Sequence, residues 1–326
     1  MSAQGIETGK RLGESFGARV HLAHVFPPLQ GSDLLAVAIA WQETPASLAK
    51  ALKEGSLSEL KSLASKYALS TGDNLHFREG APVFDVISSL ASEIPADLLV
   101  VPTHAFRGVK RFFLGSTAER LVQHSPCPIL VDRRSATRLP AKRLLWAPSL
   151  RIDKILVPVD FSTCSLDGLR YAIQFAQRFG ANITVLHVLD LGYAQPMDIN
   201  MPRELTRFAR AATKDGAGQM RRFVKRLKFG RIRFKTELLI GTPVAEISDF
   251  ARANDFDLIV TATHGLTGFK HVLMGSIAEH LVRRSQVPIL VVPSHPEVRR
   301  ANITAFRKSR SRAQFGRKRK GRGTSN

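Results

Sequence analysis

Apolar residues in this chain are arranged in two alternating patterns: short unbroken runs, and longer segments with apolar positions every three or four residues. The clearest case spans residues 258–292. Leu258-Ile259-Val260-Thr261 is β-branched and apolar without alternation, as a strand covered on both faces should be. The loop Ala262-Thr263-His264-Gly265-Leu266-Thr267-Gly268 follows, and Gly275-Ser276 opens a helix whose Ile277, Leu281 and Val282 lie at helical spacing. Val287–Val292 reads as a second strand, with Pro288 near its start, where a missing N–H does least harm.

Earlier segments follow the same alternation. Strands are predicted at Lys154–Val159, Asn182–Val188 and Ile232–Leu239. Helices are predicted at 165–179 (Leu166, Leu169, Ala172, Ile173 and Ala176 inward), 203–227 and 244–253. Five strands alternating with four helices, joined by right-handed crossovers, give a doubly wound parallel sheet. Upstream, the end of a helix at Ile6–Phe16 stops at Gly17. Then come strand Arg19–Val25, helix 46–67, strand Leu75–Glu79, helix Val83–Glu93, strand Leu98–Val101, helix Ser116–His124 and strand Pro128–Val131.

The two halves are copies. Leu98–Val131 aligns with Leu258–Val291 without a gap, and 17 of 34 positions are identical, including Thr103/Thr263, His104/His264, Gly108/Gly268, Gly115/Gly275, Ser116/Ser276 and Glu119/Glu279. Gly80-Ala81-Pro82 matches Gly241-Thr242-Pro243, and 17–25 matches 180–188. A period of about 160 residues is a duplicated domain, not a solenoid repeat of roughly 20–50 residues. The first copy has no counterpart of strand Lys154–Val159, which would fall before Met1. Either that domain lacks its central strand or the true start lies upstream. The second is expected, because losing a central strand strips partners from two neighbours. The divisions are therefore 1–133, a first domain incomplete at its N-terminus; 134–152, a linker; 153–293, a complete second domain; and 294–326, a tail.

The loop and helix start after strand 258–261 suggest an anion site. Unpaired N–H groups and the positive end of a helix dipole meet there, glycines let backbone approach a phosphate, and Ser276 adds a hydroxyl. A ligand-free reading is equally concrete: Ser276 and Glu279 form S-x-x-E, a capping box.

Gly241-x-Pro243, Asp160 at the end of the first strand, and Thr263-His264-Gly265 followed by nine residues and Gly275-Ser276 together resemble the universal stress protein family. The resemblance covers both copies and implies two tandem Rossmann-like sheets of order 3-2-1-4-5, the first lacking its first strand. It also implies dimeric assembly through the last strands, here Pro128–Val131 and Pro288–Val292, between chains or between the two domains of one chain. The ATP-binding branch resembles G-x-x-G, nine residues, then G-[ST]. The second copy has Ala262 for the first glycine; the first copy has Pro102 and Ala105 and no acidic residue. The resemblance implies that Asp160, with backbone of Pro158 and Val159, contacts the adenosine part of ATP. Val188 would meet the adenine edge, Ala262, His264 and Gly265 would line ribose and phosphates, and Gly275, Ser276 and Ile277 would hold phosphate, with Mg2+ accompanying the nucleotide. His264, Lys110 and Lys270 also have plain readings as hydrogen-bonding or solvated residues. No nucleophile–base–acid set is found, so the chain is not expected to be an enzyme.

Composition agrees with two globular domains: 326 residues, 44% hydrophobic and 23% charged. The longest apolar run, Leu34–Trp41, is far shorter than the roughly 20 residues that cross a bilayer. Cys127 and Cys164 form no C-x-x-C and read as free thiols of a cytoplasmic protein, and no His/Cys cluster has zinc spacing. Net charge is +21, and residues 294–326 carry eleven Arg and Lys against Glu297 alone. The run Gly316–Gly323 is expected to be disordered, and to serve either as a solubilising tail or as a nonspecific contact with nucleic acid or an anionic membrane surface. Two functions follow: an ATP-binding stress-response module with its site in the second domain, or a ligand-free dimerising scaffold whose tail contacts nucleic acid.

Overall fold

The computed structural model describes residues 3–28, 35, 38–40, 42–69, 72–102, 115–132, 151–192, 203–263 and 275–293. The expected linker (134–152) and tail (294–326) lie essentially outside them. The first copy contributes α1 (Ala3–Phe16), β1 (Leu22–Phe26), α2 (Pro45–Lys66), β2 (Leu75–Glu79), α3 (Val83–Glu93), β3 (Leu99–Pro102), α4 (Ser116–His124) and β4 (Ile129–Asp132). The second contributes β5 (Lys154–Pro158), α5 (Thr163–Phe179), β6 (Asn182–Leu189), α6 (Arg203–Val224), β7 (Phe234–Ile240), α7 (Pro243–Ala253), β8 (Leu258–Ala262), α8 (Ser276–Arg284) and β9 (Ile289–Val292).

The second copy is the expected sheet, in order β7-β6-β5-β8-β9 with every pair parallel. Its strands read as continuous apolar runs because helices cover both faces: Ile155, Leu156 and Val157 are buried, as are all five residues of β8. All five apolar positions assigned to α5 are buried. Gly180 ends that helix at φ 72°, a left-handed stop that glycine adopts freely. In α2, Leu48 and Leu60 are buried, but Leu52 is 41% exposed.

The first copy is divided where its missing strand would stand. β1 and β2 form a two-stranded parallel sheet by themselves, whereas β3 and β4 join the sheet of the second copy, giving seven strands in order β3-β4-β9-β8-β5-β6-β7. The two domains therefore do not keep two separate sheets. β1 and β3 are the counterparts of β6 and β8, which in the second copy sit on either side of β5.

The joint is antiparallel pairing of β4 with β9: Ile129↔Val291, Leu130↔Leu290, Val131↔Ile289. Leu130 and Leu290 are equivalent residues of the duplication, so a pseudo-twofold axis passes between them. It relates like surfaces, as in an isologous dimer. On one face, Leu12 of α1 enters the core of the second copy, and Phe16 lies 5.1 Å from Phe175 and 5.6 Å from Phe179, ring centre to ring centre. On the other, Ala118, Leu121 and Val122 of α4 share one apolar cluster with Ala278, Leu281 and Val282 of α8. Arg283 bridges Glu119 across the joint and Glu279 on its own helix. The last strands thus pair within one chain. Among the described residues both cysteines are free thiols; burial pushes the Cys127 thiol up to about 11.

At the outer edge of the first copy, His21 Nδ1 and His76 Nε2 lie 2.8 Å apart with the rings stacked. Burial, then the charge of His76, lowers the His21 pKa from its ordinary 6.5; burial, then Arg78, lowers that of His76. The native state therefore holds fewer protons here than the unfolded chain, and this contribution is present above pH 6.5 and lost as pH falls below it. The denaturation midpoint is expected to drop between about pH 7 and pH 5 by less in a His21→Phe/His76→Phe variant than in the parent. At the joint, Leu290 is fully buried, and Leu290→Ala is expected to lower stability by about 2–5 kcal/mol in urea denaturation. An unchanged midpoint would mean the joint does not couple the two domains.

Candidate functional site

A cleft for a ligand needs a place where neighbouring strands part, and β5 supplies one. It pairs with β6 along its whole length, from Lys154↔Asn182 to Pro158↔Leu186, but with β8 only through Ile155↔Leu258 and Leu156↔Ile259. Beyond that point the two strands are no longer paired, since Pro158 has no N–H to extend the ladder. This is where the strand order reverses, and the carboxyl ends of both strands border the opening.

The turn from β5 into α5 is held from several sides. Val159 N–H donates to the Leu186 carbonyl at 2.8 Å. His187 Nδ1 lies 2.7 Å from the Val159 carbonyl, which satisfies this half-buried ring as a structural histidine. Asp160 Oδ1 accepts from Ser162 N–H at 3.1 Å, an Asx turn, and Ser162 Oγ caps α5 by accepting from Ser165 N–H at 3.0 Å. Between them Phe161 sits at φ 65°, a left-handed conformation that is strained for a bulky residue. Its ring is secured 4.2 Å from His187 and 5.6 Å from Phe223. Strain maintained this way marks a turn whose geometry matters, and here it places Asp160. The sequence carries a signal for the cap, Ser162-x-x-Ser165, and none for the strain at Phe161.

Val188 is buried near the end of β6, and Leu189 beyond it accepts from Gly241 N–H at 3.0 Å. Gly241 has φ 151°, and a Cβ there would collide with the Glu246 side chain. The glycine of Gly241-x-Pro243 is required by this turn between β7 and α7.

Ala262 closes β8 in extended conformation and is 8% exposed. A Cβ built on Gly168 of α5 would stand 3.8 Å from the Ala262 methyl, so that methyl packs on the α5 side of the sheet, where helix glycine leaves it room. The exchange of glycine for alanine here is absorbed by packing. Thr263 donates its N–H to the Val292 carbonyl at 3.0 Å, and its own carbonyl accepts from Gly275 N–H at 2.6 Å. The two ends of the 264–274 segment are thereby fastened together. His264, Gly265 and Lys270 fall outside the described residues, as does Lys110.

The capping-box reading of Ser276 does not hold. Gly275 is the N-cap of α8, at φ −65° and ψ 134°, with no side-chain cap bond; Ser276 is the first helical residue and is exposed. One position past the cap, its hydroxyl is not placed to accept from the N–H three residues on. Glu279 instead pairs with Arg283 at 3.0 Å. The first N–H groups of α8 are thus left without a side-chain cap, with the exposed Ser276 hydroxyl beside them. Ile277 is half-buried behind them. The first copy repeats this arrangement at Gly115 and Ser116, but without a β5 equivalent among the described residues it has no cleft of this kind.

Pro158, Val159, Asp160, Val188, Ala262, Gly275, Ser276 and Ile277 therefore all lie at the carboxyl end of one sheet. Among the described residues, no group of three or more His, Cys, Asp or Glu is arranged to hold a metal, and no helix is long and apolar enough to cross a membrane.

A family model for the universal stress protein family matches residues 1–133 and 151–293. Universal stress protein MJ0531 of Methanocaldococcus jannaschii is 32% identical over 139 residues, covering 43% of this chain and 81% of its own. Universal stress protein Mb2346c of Mycobacterium bovis is 24% identical over 238 residues, 72% of this chain and 75% of its own. The crystal structure of a universal stress protein from Archaeoglobus fulgidus superposes with a TM-score of 0.55 at 17% identity, covering 91% of this chain and 94% of that one, and so shares the fold. With two matched segments, a sheet of order 3-2-1-4-5 and a joint through the last strands, the chain belongs to the universal stress protein family, as two copies in tandem.

Proposed function

We propose that the second copy binds ATP in the cleft between β5 and β8, and that the chain acts as a nucleotide-responsive module of the stress response. The observation that carries this reading is the end of β5–β8 pairing after Leu156 and Ile259 at the strand-order reversal, with Asp160 following β5 and the start of α8, free of a side-chain cap, following β8. Backbone of Pro158, Val159 and Val188 suits the adenosine part, with the Asp160 carboxylate accepting from sugar hydroxyls. Gly275, Ser276 and Ile277 suit phosphate, because backbone N–H groups and the positive helix end converge there. His264 and Gly265 belong to the same reading through the family resemblance. Mg2+ would come with the phosphates, held mainly by the nucleotide and water. The site binds without performing chemistry: among the described residues it offers no activated nucleophile or paired general base. A soluble, cytoplasmic protein is the setting this implies.

A second reading is a ligand-free scaffold. The buried joint around Leu130 and Leu290 favours it, since the two copies pair without any ligand. In that reading the tail supplies contact with nucleic acid.

Calorimetry of ATP binding to the whole chain separates the two. One saturable site per chain is expected, weakened at least tenfold by Asp160→Asn, which keeps an acceptor for Ser162 N–H but removes the charge. Gly275→Val should weaken it similarly, because valine tolerates φ −65° but crowds the phosphate position. Absence of saturable heat at millimolar ATP rejects the nucleotide reading; two sites per chain rejects its confinement to the second copy.

A further inference from the structure

The strongest unexplained feature among the described residues lies at the opposite end of the sheet. From Arg221 to Lys235 the chain reads Arg-Arg-Phe-Val-Lys-Arg-Leu-Lys-Phe-Gly-Arg-Ile-Arg-Phe-Lys: eight cations in fifteen residues and no acid. All eight are exposed. Lys235 pairs with Glu237 at 2.9 Å and Arg233 donates to Asn182 at 3.1 Å. Arg221, Arg222, Lys225, Arg226, Lys228 and Arg231 make no ion pair among the described residues. The last turn of α6 accounts for Arg221 and Arg222, since cations are favoured at a helix C-terminus. It does not account for the cations after the helix ends.

The duplication supplies an internal control. The corresponding connection between α2 and β2, residues 60–74, carries only Lys61 and Lys66, with Asp73 against them. Joining a helix to a strand at this point of the fold does not require a basic surface. The second copy has one in addition.

An aromatic ring stands within it. Phe234 opens β7, an edge strand of the seven-stranded sheet, and is 43% exposed. One face of its ring rests on Phe229, with centroids 3.8 Å apart and planes 13° from parallel. Phe229 is itself buried, so the pair has one ring in the core and one exposed at the start of β7, next to the basic 225–233 segment in the chain.

We propose that this surface, formed by the end of α6, residues 225–233 and the start of β7, binds single-stranded nucleic acid. The cations neutralise successive phosphates, and Phe234 stacks a base. Cations along a backbone track beside an aromatic platform are the two elements such binding needs, and both tolerate any sequence. A membrane surface would use the charge but has no use for a ring already stacked flat on its neighbour. The surface lies at the amino end of β7, whereas Asp160 and Gly275 lie at the carboxyl ends of their strands. The inference is therefore independent of nucleotide binding, and it does not depend on residues 294–326.

The test uses the full chain with a fluorescent 20-nucleotide oligothymidylate, anisotropy and a salt series. Lys225→Gln/Arg226→Gln/Lys228→Gln/Arg231→Gln is expected to weaken binding at least tenfold and to reduce the slope of log affinity against log salt by about 0.7 for each phosphate no longer neutralised. Phe234→Leu, which preserves apolar cover over Phe229, should weaken binding about tenfold and leave the slope unchanged. A parallel Arg317→Gln/Lys318→Gln/Arg319→Gln/Lys320→Gln variant measures the tail separately. An unchanged salt slope in the first variant overturns the proposal, whatever the tail variant does. So does a loss confined to phosphatidylserine vesicles, which would make the surface a membrane contact. Should the fourfold variant fail to fold, full affinity in Phe234→Leu overturns it alone.

Discussion

A strand at the border of a sheet carries backbone N–H and C=O groups that must find partners, and the pairing of β4 with β9 resolves that requirement for both copies at once. With Leu130 set opposite Leu290, two borders that would each have faced solvent become the interior of one seven-stranded sheet. The helical layers follow from it. α4 and α8 meet on one face, α1 and α5 on the other, because the same axis carries all of them. The pairing also gives β3 and β4, which have no β5 counterpart beside them among the described residues, their support from the second copy.

The cleft depends on a different constraint. β5 lies at the centre of the second copy's five strands, so its end is where chain leaves toward opposite sides of the sheet. Everything that shapes Asp160 is local to that end: the Asx bond to Ser162, the cap on Ser165, and the left-handed Phe161 held by His187 and Phe223. The opposite end of the same sheet, around Phe234, has no such turn and carries charge instead. The two ends of one domain thus differ in chemistry as well as in position.

Much of this is legible in the residues. The spans Leu75–Glu79, Val83–Glu93 and Ser116–His124 agree with the observed elements, because glycine, proline or N-cap residues punctuate them. Strand ends differ by one to three residues where the apolar pattern overshoots the paired segment: Val20 suggests an early start to the first strand, yet pairing begins at Leu22. The order of the second sheet follows from alternation and the family resemblance together. Ser276 misleads because S-x-x-E has the same letters whether the serine is the cap or the residue after it; only the backbone angles of Gly275 decide. The pairing of the last strands follows from the family resemblance, but whether it forms within one chain or between chains does not, since neither repeat marks its partner; the structure joins β4 to β9 of the same chain. Phe161 carries no signal because strain is a property of dihedral angles. The 221–235 surface is obscured in the sequence by the basic tail, whose unbroken Arg317–Lys320 run stands out more sharply than cations spaced among apolar residues.

Arg283 sits near the pseudo-twofold axis and serves Glu279 and Glu119 together, while its equivalent in the first copy is Gln123. An axis of this kind would let either copy meet its own like from another chain. Two first copies brought together would set Glu119 toward Gln123, where the arginine stands in the second copy, and the ion pair would be lost. The two halves thus share one backbone plan across the axis but not one set of charges: the ion pair that crosses it exists because the copies differ at a single position.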